Sequence, residues 1–206
     1  MFSRRSLLTF SLVSSLAAFA MALVPAAVAQ ASAGGPDAFI KEVGHEAISS
    51  LTRKQLSDKE RQENFRKILN RTFKVDLIAR FTLGRYWRRA TDAQQKEYID
   101  LFEDFIVQAY AARFKDYDGE AFRVGKVRDI NDRDKLVQST LTLKDGRQIP
   151  VHWRVRSDNS YKVIDVLVEG VSMAITQRDE FAAIISQNGG KIEGLLTALR
   201  KKTGKP

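Results

Sequence analysis

An α+β fold, with an antiparallel four-stranded meander sheet and helices packed on one of its faces, is predicted by three observations. Apolar residues recur with the 3.6-residue period of a helix as far as about Phe114. The period then switches to two in four segments between residues 121 and 168, with turn residues between them. Helical spacing returns from Gln177 to the end of the chain. Helices, then a meander, then helices again is the order of an α+β domain rather than of a parallel βαβ sheet. Such a half-cone can keep an apolar cavity between sheet and helices, although composition alone does not separate a cavity from a filled core.

Residues 1–29 read as an export signal. Arg4 and Arg5 form a positive n-region, Leu7 to Val24 an apolar run, and Ala27-Val28-Ala29 a small-x-small cleavage pattern, with Ala29-Gln30-Ala31 as a second register. The run Ser3-Arg4-Arg5-Ser6-Leu7-Leu8 also fits a twin-arginine signal, so Sec and twin-arginine export both stay open. An uncleaved anchor is the alternative; Ser11, Ser14, Ser15 and the Ala-rich end argue against it. Cleavage after Ala29 leaves residues 30–206, one domain of 177 residues with no cysteine, held together by packing alone. Without Arg4 and Arg5, 32 Lys and Arg stand against 25 Asp and Glu, a charge of +7. Export removes nucleic acid as a partner, which leaves anionic lipid headgroups, an acidic protein surface or plain solubility as readings of that charge.

After a flexible leader over 30–35, Ile40, Val43, Ala47 and Leu51 mark one face of a helix that starts at Pro36. Ser57-Asp58-Lys59-Glu60 is a capping box for a second helix with the stripe Phe65, Ile68, Leu69 and Phe73. A short segment from Val75 to Phe81 follows. A second box, Thr91-Asp92-Ala93-Gln94, opens the longest helix, whose broad stripe (Tyr98, Leu101, Phe102, Phe105, Ile106, Ala109, Tyr110) asks for cover on more than one side. The period changes at Asp118-Gly119, and strands are expected at 121–130, 135–143, 148–156 and 161–168. Beyond them lie helices over Gln177 to Asn188 and, past Gly189-Gly190, over Ile192 to Leu199 with a basic end.

Register follows from keeping one face apolar. A two-residue Asp145-Gly146 turn mixes the faces, whereas a three-residue Lys144-Asp145-Gly146 loop pairs Leu141 with Ile149, Ser139 with Val151 and Val137 with Trp153. Gly146 is then expected in the left-handed region. A two-residue turn at Asp158-Asn159 sets Trp153 opposite Ile164 and Val151 opposite Val166. The apolar face becomes Val137, Leu141, Leu143, Ile149, Val151, Trp153, Val155, Ile164, Val166 and Val168. His152, Arg154, Arg156 and Asp165 share the other face with Tyr161, Val163 and Leu167.

No enzyme motif survives inspection. Gly170-Val171-Ser172-Met173-Ala174 approaches the nucleophile elbow G-x-S-x-G, but the sheet is not parallel and no His follows Ser172. A turn capped by Ser172 is the plainer reading. His152 and Asp165 could form an acid–base dyad of a cone-shaped small-ligand enzyme, or simply a polar cross-strand pair. Two isolated histidines give no metal-ligand spacing, and no Gly-rich phosphate loop is present. Tyr86-Trp87 among Arg85, Arg88 and Arg89 reads as a stacking patch without its nucleic acid, as a buried aromatic ridge under a solvated arginine face, or as a docking patch.

Two segments carry a family resemblance. Leu83-Gly84-x-x-Trp87-Arg88-x-Ala90-Thr91-x-x-Gln94 followed by Phe102, Phe105 and Tyr110, and Tyr161-Lys162-Val163-Ile164-Asp165-Val166-x-Val168-Glu169-Gly170-Val171-Ser172 followed by Arg178 and Phe181, resemble the two signatures of the MlaC, or toluene-tolerance auxiliary, family. The likeness spans nearly the whole segment after the signal. It implies a periplasmic, soluble phospholipid carrier without catalytic residues or cofactors, exchanging lipid between an inner-membrane ABC transporter complex and an outer-membrane lipoprotein complex that together maintain outer-membrane asymmetry. A related branch is associated with hopanoid lipids. Such a carrier needs an enclosed apolar cavity, toward the upper end of the ~300–1,000 Å³ range of ligand pockets. Strand parity and the helical stripe nominate its wall as Phe102, Phe105, Ile106, Leu141, Val151, Trp153 and Val166, between the long helix and the sheet, with Val171 and Met173 near the mouth.

Overall fold

In a computed structural model, which describes residues 34–117 and 121–205, the helices start where the sequence caps them. The expected export signal, the leader up to Ala33 and the period change at Asp118-Gly119 lie outside the described residues. Helix α1 (Pro36–Leu51) opens on a proline with Asp37 in its first turn. In α2 (Asp58–Thr72) the Ser57 hydroxyl accepts the Glu60 amide at 3.2 Å while the Glu60 carboxylate accepts the Ser57 amide at 2.9 Å. The short segment after it is a helix, α3 (Val75–Leu83), continued by a 3-10 helix over Gly84–Arg89. Thr91 and Gln94 make the second reciprocal cap at the head of α4 (Asp92–Ala111). Helices α5 (Met173–Gln187) and α6 (Ile192–Thr203) close the chain, α6 with Arg200, Lys201 and Lys202 in its last turn and Gly204 in the left-handed region.

The sheet has five antiparallel strands in sequence order, not four: β1 (Ala121–Asp129), β2 (Asp134–Thr142), β3 (Gln148–Ser157), β4 (Tyr161–Val168) and β5 (Val171–Ser172). The additional strand arises because Glu169 and Gly170 both adopt positive φ, 52° and 83°, reversing the chain so tightly that Val171 pairs with Val168. Between β2 and β3 the register is the expected one, Leu141 with Ile149, Ser139 with Val151 and Val137 with Trp153, and Gly146 has φ 84°.

Between β3 and β4 the expected register is overturned. Trp153 lies opposite Val166 and Val151 opposite Val168. Two causes add: Ser157 pairs with Tyr161 across a three-residue turn, and the ladder slips between Arg154–Asp165 and Val155–Val163, leaving Ile164 over as a bulge. Tyr161 and Val163 therefore move onto the core face, where Val163 is fully buried, and Val166 and Val168 keep their places on it.

The packing also differs from the expectation that α4 covers the sheet. It is α1 that lays Phe39, Ile40 and Val43 on Val137, Val155 and Val163. The approach is close at Gly44, where a Cβ would come within 2.5 Å of the Phe122 ring. The wide stripe of α4 is spent on other helices, with Tyr98, Leu101, Phe102 and Val107 meeting α3, α5 and α6 in a second cluster. Phe73 touches both clusters and bridges to Val163, and the Lys74 amide donates to the Val163 carbonyl at 3.0 Å, pinning the helical layer to β4.

Two buried charges hold the frame. Arg61, 2% exposed, donates to the carbonyls of Leu51 and, at 3.2 Å, Leu56, so a fixed cation occupies the negative end of α1. Asp134, 1% exposed, accepts from Arg154 and Arg156, each at 2.7 Å, and the Arg156 guanidinium foremost holds its carboxyl well below the ordinary value. Because its folded-state pKa is depressed, Asp134 contributes its full stability above about pH 4 and loses it as pH falls further. Asp134→Asn should cost about 2 kcal/mol, moderated because both arginines reach water. Circular dichroism melts from pH 7 to 3 should show the wild type losing more stability on acidification than the variant.

Candidate functional site

The half of the sheet face beyond α1 is only partly covered. Val137, Val155 and Val163 are fully buried, whereas Leu141, Ile149, Val151, Val166 and Val168, on the same face, stay half-buried. Trp153 stands at the border. Its indole N–H donates to the Ser139 hydroxyl at 2.9 Å, which in turn donates to the Val151 carbonyl. That satisfies the indole's polar edge within the sheet, while Phe122 meets its ring edge-on, centroids 6.3 Å apart. Val171, paired to Val168, extends the same surface and is 54% exposed; Met173, the first residue of α5, is half-buried.

Leu141, Val151, Trp153, Val166 and Val171 are thus joined by strand pairing. Phe102, Phe105 and Ile106 belong to the helical cluster instead. Phe102 is 3% exposed, enclosed by Tyr98 and Phe181. Phe105 and Ile106 are half-buried at the border of that cluster, with the Lys202 ammonium 5.2 Å from the centre of the Phe105 ring. Sequence reasoning placed Ile149 and Val168 on this face without nominating them. It missed Phe122 and Val124, which face Leu141 and Ser139; alternation in β1 would have found them, but the strand bulges between Val124 and Val127.

An open cleft of about 580 Å³ lies on the outer side of α1, with polar walls of Glu42, His45, Glu46, Ser49 and Arg71 around Ile48. A smaller one, about 160 Å³, lies between Glu46, Arg53, Asn64 and Lys67.

Asp165 and Ser172, two of the polar residues considered as catalytic candidates, serve the backbone. Asp165 accepts from the Ser172 hydroxyl at 2.6 Å and from the amides of Val166 and Ala174 at 2.8 and 3.1 Å. Ser172 accepts the Ile175 amide at 3.1 Å, so Gly170-Val171-Ser172-Met173-Ala174 is a strand turn and helix cap. The bulge puts Arg154 opposite Asp165, while His152 faces Leu167; the expected dyad is not in register.

Helices pack on one face of the antiparallel sheet and leave part of that apolar face half-covered. The chain belongs to the MlaC family, whose sequence model, described as MlaC protein, matches residues 41–201. A curated relative, toluene tolerance protein ttg2D of Pseudomonas putida, is 23% identical over 163 residues, 72% of this chain and 76% of that protein. A solved structure of similar fold is the phospholipid-binding protein of Ralstonia solanacearum in complex with a phospholipid, with a TM-score of 0.75 at 21% identity, covering 83% of this chain and 98% of that one.

Asp165→Ala should lower stability by about 2 kcal/mol through loss of the β4–α5 brace. His152→Ala should change it by less than about 0.5 kcal/mol. Urea titration of both variants checks this, and equal losses would mean the brace is misassigned.

Proposed function

We propose that this protein is a periplasmic carrier that holds phospholipid by its acyl chains and passes it between an inner-membrane ABC transporter complex and an outer-membrane lipoprotein complex. The observation that carries the reading is the half-covered apolar sheet end, in a chain of the MlaC family whose fold is shared with a protein solved in complex with a phospholipid. A periplasmic site of action agrees with the n-region, apolar run and cleavage pattern of residues 1–29. Among the described residues no helix is long and apolar enough to cross a membrane.

The energetic case for a carrier is simple. A diacyl lipid exposes roughly 30 methylenes, and at about 0.8 kcal/mol each their transfer into water costs more than 20 kcal/mol. A protein wall that replaces water removes most of that barrier without any bond being made or broken. We assign the wall to Leu141, Val151, Trp153 and Val166, with Val171 and Met173 at the mouth and Phe105 and Ile106 on the helical side. Phe102 backs it from the helical core. With the indole N–H of Trp153 bonded to Ser139, the wall offers lipid chains no unmet polar group at this point. Entry of two acyl chains requires the sheet and helical clusters to part, and Phe73 and the Lys74–Val163 bond are where they stay joined.

Native mass spectrometry of the purified protein should find co-purified phospholipid, and the same spectrum separates it from a hopanoid by mass. An empty protein with no lipid uptake would overturn the proposal. Val151→Arg is the sharper test. At a lipid-facing, half-buried position the long cation snorkels toward the mouth. The variant should stay folded, within about 2 kcal/mol of wild type, and lose its lipid. In a sealed core the same change would bury an unpaired charge and cost about 3–5 kcal/mol. A folded variant still full of lipid would mean that the wall lies elsewhere.

A further inference from the structure

The Arg-rich segment around Tyr86-Trp87 has no part in the lipid wall, yet the fold gathers it with three of the exposed large apolar side chains. The 3-10 helix buries Tyr86 and puts Arg85, Arg88 and Arg89 on the surface. Arg85 and Arg89 lie over the Tyr86 ring, 5.0 and 5.7 Å from its centre, and Arg80 lies 5.6 Å from that of Trp87. None of these four guanidiniums has a carboxylate partner among the described residues; Arg85 donates only to the Tyr86 hydroxyl, at 3.0 Å. Aromatic faces orient a cation without neutralising it. Next to them, Arg178 of α5 sits 5.0 Å from the centre of the Phe81 ring and against Gly84. Ile175 is one turn before Arg178 on the same side of α5. Phe81, Ile175 and Val171 are 43%, 46% and 54% exposed.

From this arrangement we infer that the surface formed by Phe81, Val171, Ile175 and the arginines at 80, 85, 88, 89 and 178 docks the protein onto an anionic lipid bilayer. Charge complementarity selects the occupant. Four unpaired guanidiniums on one surface match a plane of phosphates, and three separate apolar tips match the shallow headgroup–acyl boundary better than a fitted pocket would. Asp179 is 3.5 Å from Arg178, and the other four have no carboxylate within ion-pair distance among the described residues. Position adds a second argument. Val171 pairs with Val168, and Val168 with Val151, so the patch runs into the open end of the sheet. The inference rests on surface geometry and holds whether or not lipid fills that end.

The test is co-sedimentation of the full mature protein with vesicles of phosphatidylcholine containing phosphatidylglycerol, against pure phosphatidylcholine. The wild type should bind the anionic vesicles, release them as salt rises, and ignore the neutral ones. Arg85→Gln/Arg88→Gln/Arg89→Gln should weaken binding about 100-fold, and Ile175→Ser several-fold. Lys201→Gln/Lys202→Gln, which removes charge from the far end of α6, should change it less than about threefold. Melting curves establish that each variant is folded, and the extracted lipid of each preparation reports on cargo binding independently. The inference fails if the wild type ignores anionic vesicles, or if the triple and the α6 variants lose binding equally, which would mean net charge alone. It also fails if the triple variant keeps its vesicle binding but loses binding to polyglutamate, which would make the patch a site for acidic protein.

Discussion

A helix with its side chains is about 10 Å across, and strands lie about 4.8 Å apart, so one helix covers roughly two strands of a sheet. Here α1 is that helix, and it meets a face five strands wide. It seals Val137, Val155 and Val163 and leaves Leu141, Ile149, Val151 and Val168 with half their cover. The other helices do not spread over the remainder, because their apolar stripes are used on one another through Tyr98, Phe102 and Phe181. They are held near the sheet by Phe73 and the Lys74–Val163 bond. The outcome is two apolar clusters sharing a border, with unfinished burial along that border.

The placement of polar groups follows the same division. Asp134, Arg154 and Arg156 of β2 and β3 gather on the opposite face of the sheet, where Asp134 binds both arginines. Burying that carboxylate would be costly without both partners, and the three charges together tie β2 to β3 where the first hairpin needs no help from the core. On the core face the polar atoms are turned inward: the Trp153 N–H to Ser139, the Ser139 O–H to Val151. Arg61 does the equivalent for α1, binding the carbonyl of its last residue, Leu51, and that of Leu56 beyond it. An apolar surface of this kind gains from covering without losing hydrogen bonds.

Much of this was legible in the residues, and the exceptions have physical causes. Ser57–Glu60 and Thr91–Gln94 mark helix starts because their side chains satisfy specific amides, and local chemistry of that sort needs no tertiary information. The β2–β3 register was readable because only one loop length keeps the face apolar. The β3–β4 register was not, since a bulge at Ile164 lets two incompatible alternations coexist in one strand. β5 escaped notice because it depends on Glu169 accepting positive φ, which few non-glycine residues do. The choice of α1 over α4 as cover was hidden because stripe width tells how much a helix buries, never against what; the small Gly44, which allows α1 its approach to Phe122, was the overlooked signal.

The turn after β4 links the pieces that function would have to couple. Asp165 holds the Ser172 hydroxyl and the Ala174 amide, so the first turn of α5 is fixed to the strand that carries Val166 and Val168. One turn further on, α5 presents Ile175 and Arg178 to the surface, and Arg178 reaches Phe81. A displacement of α5 is therefore also a displacement of Met173 and of the Phe81–Arg178 contact. The brace fixes the start of α5 to the strand that carries the open end of the sheet. The signature running from Tyr161 to Ser172 and on to Arg178 and Phe181 spans this unit, from the second hairpin to the helical core. Its apolar residues build the face, and its polar ones fix where α5 begins.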